Sequence, residues 1–178
     1  MEIEIAKHLG GHLDITNTDK NILEFIKDKF NIKTMLDIGC GPGGMQPLAE
    51  ELNIHWTGLD GDPNVINESI ILHDFVEGKY NTKNDYDLVW STEFLEHVEE
   101  KYMKNYMPLF ARGKIAVVTA AAPGTPGHYH VNCQSKDYWI DKFEDYGFRY
   151  STSLTEQCKD ISIMRKKFFK RTGMVFIK

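Results

Sequence analysis

The hydrophobic positions of this chain alternate between the spacings typical of strands and of helices. Short apolar runs predict strands at residues 33–38, 55–60, 69–72, 86–91 and 114–120, with further strands at 148–154 and 173–177. Helical spacing predicts helices at residues 18–30, 44–52, 93–107 and 135–146. Strands that alternate with helices are typical of an α/β fold built on a mostly parallel sheet.

Two segments outside the regular elements add detail to this fold. The first helix is expected to begin after Asn17 or Thr18, because either side chain can cap it. Residues 121–134 form a long irregular stretch after the fifth predicted strand. Such a stretch lies at the carboxyl edge of the sheet, where open α/β folds bind ligands.

Composition and charge narrow the classes of function. The chain has 178 residues and a net charge of −5, so we expect one domain and no generic binder of nucleic acid or anionic membrane. No apolar run is long enough for a membrane helix, and the acidic N-terminus is unlike a signal peptide. Cys40, Cys133 and Cys158 are far apart and are expected to be free thiols. These features predict a soluble, cytoplasmic protein.

Charge is nevertheless uneven along the chain. Residues 158–178 contain seven basic residues and one acidic residue, a net charge of +6. This segment is either a solvated basic face or a patch for an anionic substrate such as a phosphorylated sugar, a nucleotide or RNA.

The most informative segment is MLDIGCGPGG at residues 35–44. Gly39, Gly41 and Gly44 satisfy the pattern G-x-G-x-x-G between a predicted strand and a predicted helix. Asp60 ends the next strand, where a carboxylate can accept both hydroxyls of a ribose. These residues predict a cofactor that contains a nucleoside.

Asp37 distinguishes between two such cofactors. It lies inside the strand, two residues before the first glycine of the loop. A carboxylate there would repel the pyrophosphate of NAD but suits a cationic ligand, which favours S-adenosylmethionine. An NAD-dependent oxidoreductase is the remote alternative.

Four segments together resemble the class I S-adenosylmethionine-dependent methyltransferases, and are similar to the small-molecule type 11 and type 23 domains. LDIGCGPGG resembles the first motif of that family, and WTGLDGDP, HDF and YDLVWSTEFLEHV fall where its later motifs lie. The resemblance covers roughly residues 30–154. It implies a Rossmann-like, seven-stranded, mostly parallel sheet whose last strand is antiparallel, with helices on both faces.

The resemblance also implies roles for particular residues. Gly39 and Gly41 would lie against the methionine part of the cofactor, and Asp60 would hold the ribose. Asp74 would accept from the adenine amino group, and Asp37 would position nearby groups. The cofactor site implied in this way consists of Asp37, Gly39, Cys40, Gly41, Asp60, Gly61, Asp74, Phe75, Ser91 and Glu93.

Five of the seven histidines are candidates for a general base, because imidazole titrates near neutral pH: His8, His12, His97, His128 and His130. His97 follows Glu96 after the fourth strand, where a role in the cofactor pocket or in packing is the alternative. His128 and His130 lie in the long loop, and the pattern His-x-His-x-Asn would place both with Asn132 on one side of an extended segment. Histidines with Asp or Glu could bind a divalent metal, but no compact ligand motif supports this, so no metal site is predicted.

The sequence thus predicts a methyltransferase acting on an oxygen or nitrogen of a small-molecule acceptor, with S-adenosylhomocysteine as product. The alternatives are an RNA or protein acceptor and a non-catalytic cofactor-binding protein. DNA is not an expected partner, since no Asn/Asp-Pro-Pro-aromatic motif follows the fourth strand. A membrane is not expected either, because the chain lacks both excess positive charge and a long apolar run. Residues 1–30 would form an N-terminal lid and helix, 31–154 the cofactor-binding core, and 155–178 a basic segment with the final strand.

Overall fold

A seven-stranded sheet organises the chain, in the order β3-β2-β1-β4-β5-β7-β6. The computed structural model describes residues 6–178, so the first five residues of the predicted lid segment lie outside the described residues. The strands are β1 Thr34–Ile38, β2 His55–Asp60, β3 Ile70–Leu72, β4 Tyr86–Ser91, β5 Gly113–Val118, β6 Arg149–Tyr150 and β7 Met174–Ile177. Neighbouring strands are parallel except at β7, which is antiparallel to both β5 and β6. The predicted Rossmann-like α/β fold is confirmed.

Among the described residues, six α-helices cover the two faces of the sheet. They are α1 Lys20–Phe30, α2 Gln46–Glu51, α3 Met103–Phe110, α4 Lys136–Glu144, α5 Thr152–Ile161 and α6 Phe168–Thr172. Residues of α3 and α4 pack in one hydrophobic cluster, and residues of α1, α2, α5 and α6 pack in another. Successive residues of β5 alternate between these clusters, as the two-residue period of a strand requires. Within residues 6–178, no helix is long and apolar enough to cross a membrane.

The strand order creates the crevice in which the site lies. β1 pairs with β2 on one side and with β4 on the other, so the chain order reverses between β1 and β4. Loops that leave neighbouring strands toward opposite faces open a crevice at the carboxyl edge of the sheet. The loops after β1, β2, β4 and β5 all leave at that edge.

The helix predicted at residues 93–107 is wrong over its first half. Two short 3-10 turns occupy residues 95–97 and 100–102, and α3 begins only at Met103. Val98 is extended, with φ −111° and ψ 120°. The backbone carbonyl of Glu96 accepts from the N–H groups of Val131 and Asn132, at 3.0 Å each, instead of continuing a helix. A long-range contact therefore overrides the helical spacing.

The strand predicted at residues 148–154 is also wrong beyond Tyr150. Ser151 caps α5, its side chain accepting from the backbone N–H of Leu154. The segment after the cap is helical to Ile161 and packs Leu154 and Cys158 into the core. The basic segment therefore begins on a helix that packs on the sheet.

Asp19, rather than Asn17 or Thr18, caps α1 and links the two ends of the chain. One carboxylate oxygen accepts from Ile22 N, in the first turn of the helix. The other accepts from the Ser162 hydroxyl at 2.6 Å, and from the backbone N–H groups of Ile163 and Met164. The side chain is fully buried. One carboxylate thus satisfies a helix start and the turn after α5.

Substitution of Asp19 tests this link. Asp19→Ala removes the acceptor of four donors, including the buried Ile22 N–H and Ser162 hydroxyl, so we expect a loss of about 3 kcal/mol in the free energy of unfolding. Asp28→Ala, on the exposed side of the same helix, is the control and should change it by less than about 0.5 kcal/mol. Urea denaturation measures both. Equal stability of the two variants would contradict the assignment.

Candidate functional site

One cavity of about 600 Å³ lies at the carboxyl edge of the sheet. Its walls come from the loops after β1, β2, β3, β4 and β5, from residues 8–17 and from the turn before α6. This volume is in the range that holds a cofactor together with a small ligand. The site residues predicted from sequence that line it are Gly39, Cys40, Gly41, Asp60, Gly61, Asp74, Phe75, Glu93, His97, His128 and His130.

The glycine loop takes a conformation that favours glycine. Gly39 and Gly41 have φ of +70° and +52°. A Cβ on Gly39 would lie 2.5 Å from the ring of Phe94. The Leu59 carbonyl accepts from the N–H groups of Gly39 and Cys40, at 2.9 and 3.1 Å, which ties the loop to β2. These hydrogen bonds hold the loop in place where it lines the cavity.

Asp60 lies at the end of β2 and faces the same loop. Its Oδ2 accepts from Gly41 N at 2.7 Å, and its Oδ1 accepts from Asp62 N at 2.9 Å. Each oxygen has a further lone pair, so the carboxylate can accept from a ligand while it keeps the loop in place.

Asp74 lies after β3, beside the buried ring of Phe75. Its Oδ1 accepts from Val76 N, and its Oδ2 lies 2.8 Å from His8 Nε2. His12 Nε2 similarly lies 3.1 Å from a carboxylate oxygen of Asp62. Two histidines of the N-terminal segment thus contact acids at the ends of β2 and β3.

Asp37 and Ser91 belong to the predicted cofactor site but do not line the cavity. Asp37 is buried in β1 and accepts from the indole N–H of Trp56 at 3.2 Å. Burial raises the pKa of Asp37 to about 7, and the charge of Asp60 adds to the rise. The Ser91 hydroxyl donates to the Ile38 carbonyl at 2.8 Å. Both side chains lie behind the loop backbone.

His97, His128 and His130 all line the cavity. The rings of His97 and His130 are 5.0 Å apart, edge to face. His128 Nε2 lies 2.9 Å from the Leu9 carbonyl, and His130 Nδ1 lies 2.9 Å from the Thr125 carbonyl. Because a carbonyl only accepts, these nitrogens carry the protons, and the other nitrogen of each ring has a free lone pair. Burial, followed by the charge of His130, lowers the pKa of His97 to about 4.

Asn132 does not join the two loop histidines, so the predicted one-sided pattern is wrong. Tyr129 has φ +44°, which turns the chain between His128 and His130 instead of extending it. Asn132 is buried outside the cavity, and its backbone N–H donates to the Glu96 carbonyl.

Two carboxylates lie next to the histidines. Glu93 has φ +54° and accepts from the Thr119 hydroxyl at 2.8 Å. Glu96 is fully buried, and its Oε1 accepts from Ala121 N at 3.1 Å. Burial and then the nearby charge of Glu93 raise the pKa of Glu96 well above its ordinary value. Glu96 was not among the site residues predicted from sequence, where it stood only as the neighbour of His97.

Basic residues from the C-terminal segment form one wall of the cavity, which we call the basic wall. Arg165, Lys166 and Arg171 line the cavity, together with the ring of Phe168. The excess of basic residues indicated this segment, but its place in the site depends on the path from α5 to β7, which the sequence pattern does not give.

The comparison with known proteins supports the methyltransferase prediction. Residues 36–112 match the family model described as "Methyltransferase domain". This stretch includes the glycine loop, Asp60, Asp74 and the histidine after β4. The predicted resemblance to S-adenosylmethionine-dependent methyltransferases is confirmed. No curated protein matches the sequence.

Solved methyltransferase structures share the fold at low sequence identity. A TehB-like S-adenosylmethionine-dependent methyltransferase from Corynebacterium glutamicum is 17% identical, with a TM-score of 0.62 over 89% of this chain and 87% of that one. The methyltransferase domain of bacterial-CtHen1-CN is 17% identical, with a TM-score of 0.60 over 89% and 97%. The plantazolicin methyltransferase BpumL in complex with S-adenosylhomocysteine is 14% identical, with a TM-score of 0.55 over 89% and 81%.

The methyl donor of the methyltransferase is S-adenosylmethionine, and the cavity fits it. Asp60 and Asp74 both line the cavity, where their carboxylates can accept from the hydroxyl and amine donors of a nucleoside.

The raised pKa of Asp37 predicts a pH-dependent stability. The unfolded carboxyl ionises near pH 4 and the folded one near pH 7, so the folded state binds more protons in that window. Stability is present below pH 4 and is lost as pH rises through 7. Asp37→Asn keeps an acceptor for Trp56 without the charge, so it should match the wild type at pH 4. At pH 8 it should be more stable by up to about 4 kcal/mol.

Thermal melting of both proteins between pH 4 and 8 measures the difference. A constant gap across that range would show that the Asp37 carboxyl does not titrate as the structure requires.

Proposed function

We propose that the methyltransferase transfers a methyl group to an oxygen or nitrogen of a small acceptor that carries an anionic group. The observation that carries the proposal is that one cavity is lined by the glycine loop and acids together with imidazoles and basic side chains. Its volume of about 600 Å³ suits a cofactor and a small acceptor.

The cofactor end is assigned to the loop after β1 and the acids after β2 and β3. Asp60 would accept from the ribose hydroxyls, and Asp74 with Phe75 would hold the adenine. The rest of the cofactor would be surrounded by Gly39, Cys40, Gly41, Gly61 and Glu93. Asp37 and Ser91 would act as positioning residues beneath the loop. The cofactor supplies an electrophilic methyl group on a sulfonium.

The acceptor end is assigned to the three histidines. His97 is neutral at pH 7, because its pKa is about 4. His128 Nδ1 and His130 Nε2 have free lone pairs, since their other nitrogens are committed to carbonyls. Such nitrogens can take the proton of an acceptor hydroxyl or amine and can orient the acceptor for in-line transfer.

The basic wall is assigned to the anionic group of the acceptor. Lys166 and Lys167 are both in the left-handed region, with φ of 53° and 54°, a conformation that non-glycine residues rarely adopt. This turn directs Arg165 and Lys166 to the cavity, while Arg171 reaches it from α6. Strain of this kind persists where the surrounding structure imposes it, commonly at binding sites.

Residues 8–17 are assigned as a lid over the cofactor. His8 contacts Asp74, and Thr16 accepts from Gly44 N through its hydroxyl at 2.9 Å. The segment thereby closes one side of the cavity and excludes water from the reacting atoms.

Variants of the cofactor end test the first part of this assignment. Asp60→Ala should weaken S-adenosylhomocysteine binding tenfold or more, because two ribose hydroxyls lose their acceptor. Calorimetry measures the affinity, and thermal melting establishes that the variant folds. Glu68→Ala, outside the cavity, is the control. Wild-type affinity in Asp60→Ala would refute the ribose assignment.

An acceptor screen with a labelled methyl donor tests the second part. Anionic small molecules and their uncharged counterparts are compared, with RNA and protein as further acceptors. We expect transfer to anionic members, and Arg171→Ala should raise the acceptor KM about tenfold, the value of one charge-assisted contact. Lys170→Ala is the matched control, since Lys170 is exposed on the same helix outside the cavity.

Equal turnover of charged and uncharged members would contradict the anionic acceptor. Transfer to RNA or protein alone would support a macromolecular acceptor instead. Cofactor binding with no transfer to any acceptor would support a non-catalytic protein.

A further inference from the structure

We propose that Glu96, His97 and His130 bind one divalent transition-metal ion at the acceptor end of the cavity. One ligand atom of each residue lies within 4.8 Å of the others. Two ligands about 2.1 Å from one ion are separated by at most about 4.2 Å, so the three groups would have to draw slightly closer together when an ion binds. Two imidazole nitrogens and one carboxylate oxygen form a set that such ions use.

Two buried side-chain atoms of this cluster lack a hydrogen-bond partner by geometry among the described residues. Glu96 Oε2 and His97 Nδ1 are buried and make no hydrogen bond in residues 6–178. A buried polar atom without a partner is costly, and a carboxylate oxygen especially so. A cation between them would satisfy both atoms at once.

The third ligand is oriented by its own hydrogen bond. His130 donates from Nδ1 to the Thr125 carbonyl at 2.9 Å, which leaves Nε2 with its lone pair. A hydrogen bond from the second ring nitrogen to a carbonyl is the usual arrangement for a histidine that binds a metal.

The carboxylate is also fixed in place. Glu96 Oε1 accepts from Ala121 N, and the Glu96 carbonyl accepts from two further backbone N–H groups in the loop after β5. Only Oε2 is left free. The nearby carboxylate of Glu93 adds negative charge, which favours a cation at this position.

Open coordination positions would face the acceptor, since His97 and His130 line the cavity. An ion there lowers the pKa of a hydroxyl that binds it and favours an oxygen acceptor over a nitrogen one. This consequence rests on the proposed function, whereas the ion site itself does not. The two imidazoles would then act as ligands, leaving His128 as the free base.

Metal titration of the purified protein tests the site without cofactor or acceptor. Chelator-treated protein is titrated with Co²⁺, followed by visible absorption, and with Zn²⁺ and Mn²⁺ by calorimetry. We expect one ion per chain and a Co²⁺ spectrum typical of nitrogen and oxygen ligands. Glu96→Gln, His97→Ala and His130→Ala should each weaken binding at least tenfold.

His128→Ala is the matched control, because His128 lies two residues from His130 in the same loop but outside the ligand cluster. It should keep wild-type metal affinity. Circular dichroism and S-adenosylhomocysteine binding establish that each variant folds. Glu96→Gln keeps the acceptor for Ala121 N and so separates loss of the ligand from loss of the loop.

Lack of saturable binding, or equal affinity in wild type and His130→Ala, would overturn the metal site. An equal loss in His128→Ala would also overturn it, because binding would then reflect loop histidines in general. These results leave methyl transfer by free imidazoles intact. Normal metal binding without transfer to any acceptor would count against the proposed function alone.

Discussion

The attachment of the glycine loop to β2 is the constraint on which the site depends. The Leu59 carbonyl accepts from two consecutive loop N–H groups, and the Asp60 carboxylate accepts from a third, at Gly41. Five parallel strands align these groups at one edge, and the reversal of strand order beside β1 opens the crevice over them. The same carboxylate that secures the loop lines the cavity.

At the proposed acceptor site, Glu96 attaches the segment after β4 to the segment after β5. Its side chain and carbonyl bind the backbone of the segment after β5, at Ala121, Val131 and Asn132. This brings His97, which follows β4, against His130, which follows β5. The helix that the spacing predicted is lost in forming these contacts. Local propensity is overridden where the chain forms its second set of functional groups.

Sequence patterns predicted the sheet, and the loop and acids of the proposed cofactor site, because these depend on local features. Continuous apolar runs identified β4 and β5, and the glycine pattern with Asp60 lies within one strand-loop-helix unit. The acceptor end depends on contacts between residues distant in sequence. Glu96 and His130 are separated by an entire helix and strand, and Arg171 reaches the cavity after two further helices. The periodicity of hydrophobic residues does not indicate contacts between distant segments, so the cluster of Glu96, His97 and His130 was not predicted.

In the proposed site, one cavity holds the cofactor beside its acids and leaves its histidines free for the acceptor. A crystal structure of the protein with S-adenosylhomocysteine is the decisive test. We expect the ribose on Asp60, the adenine beside Asp74 and Phe75, and the sulfur facing the part of the cavity that His97 and His130 line. Adenosine bound against Arg165 and Arg171, or outside the cavity, would contradict this assignment.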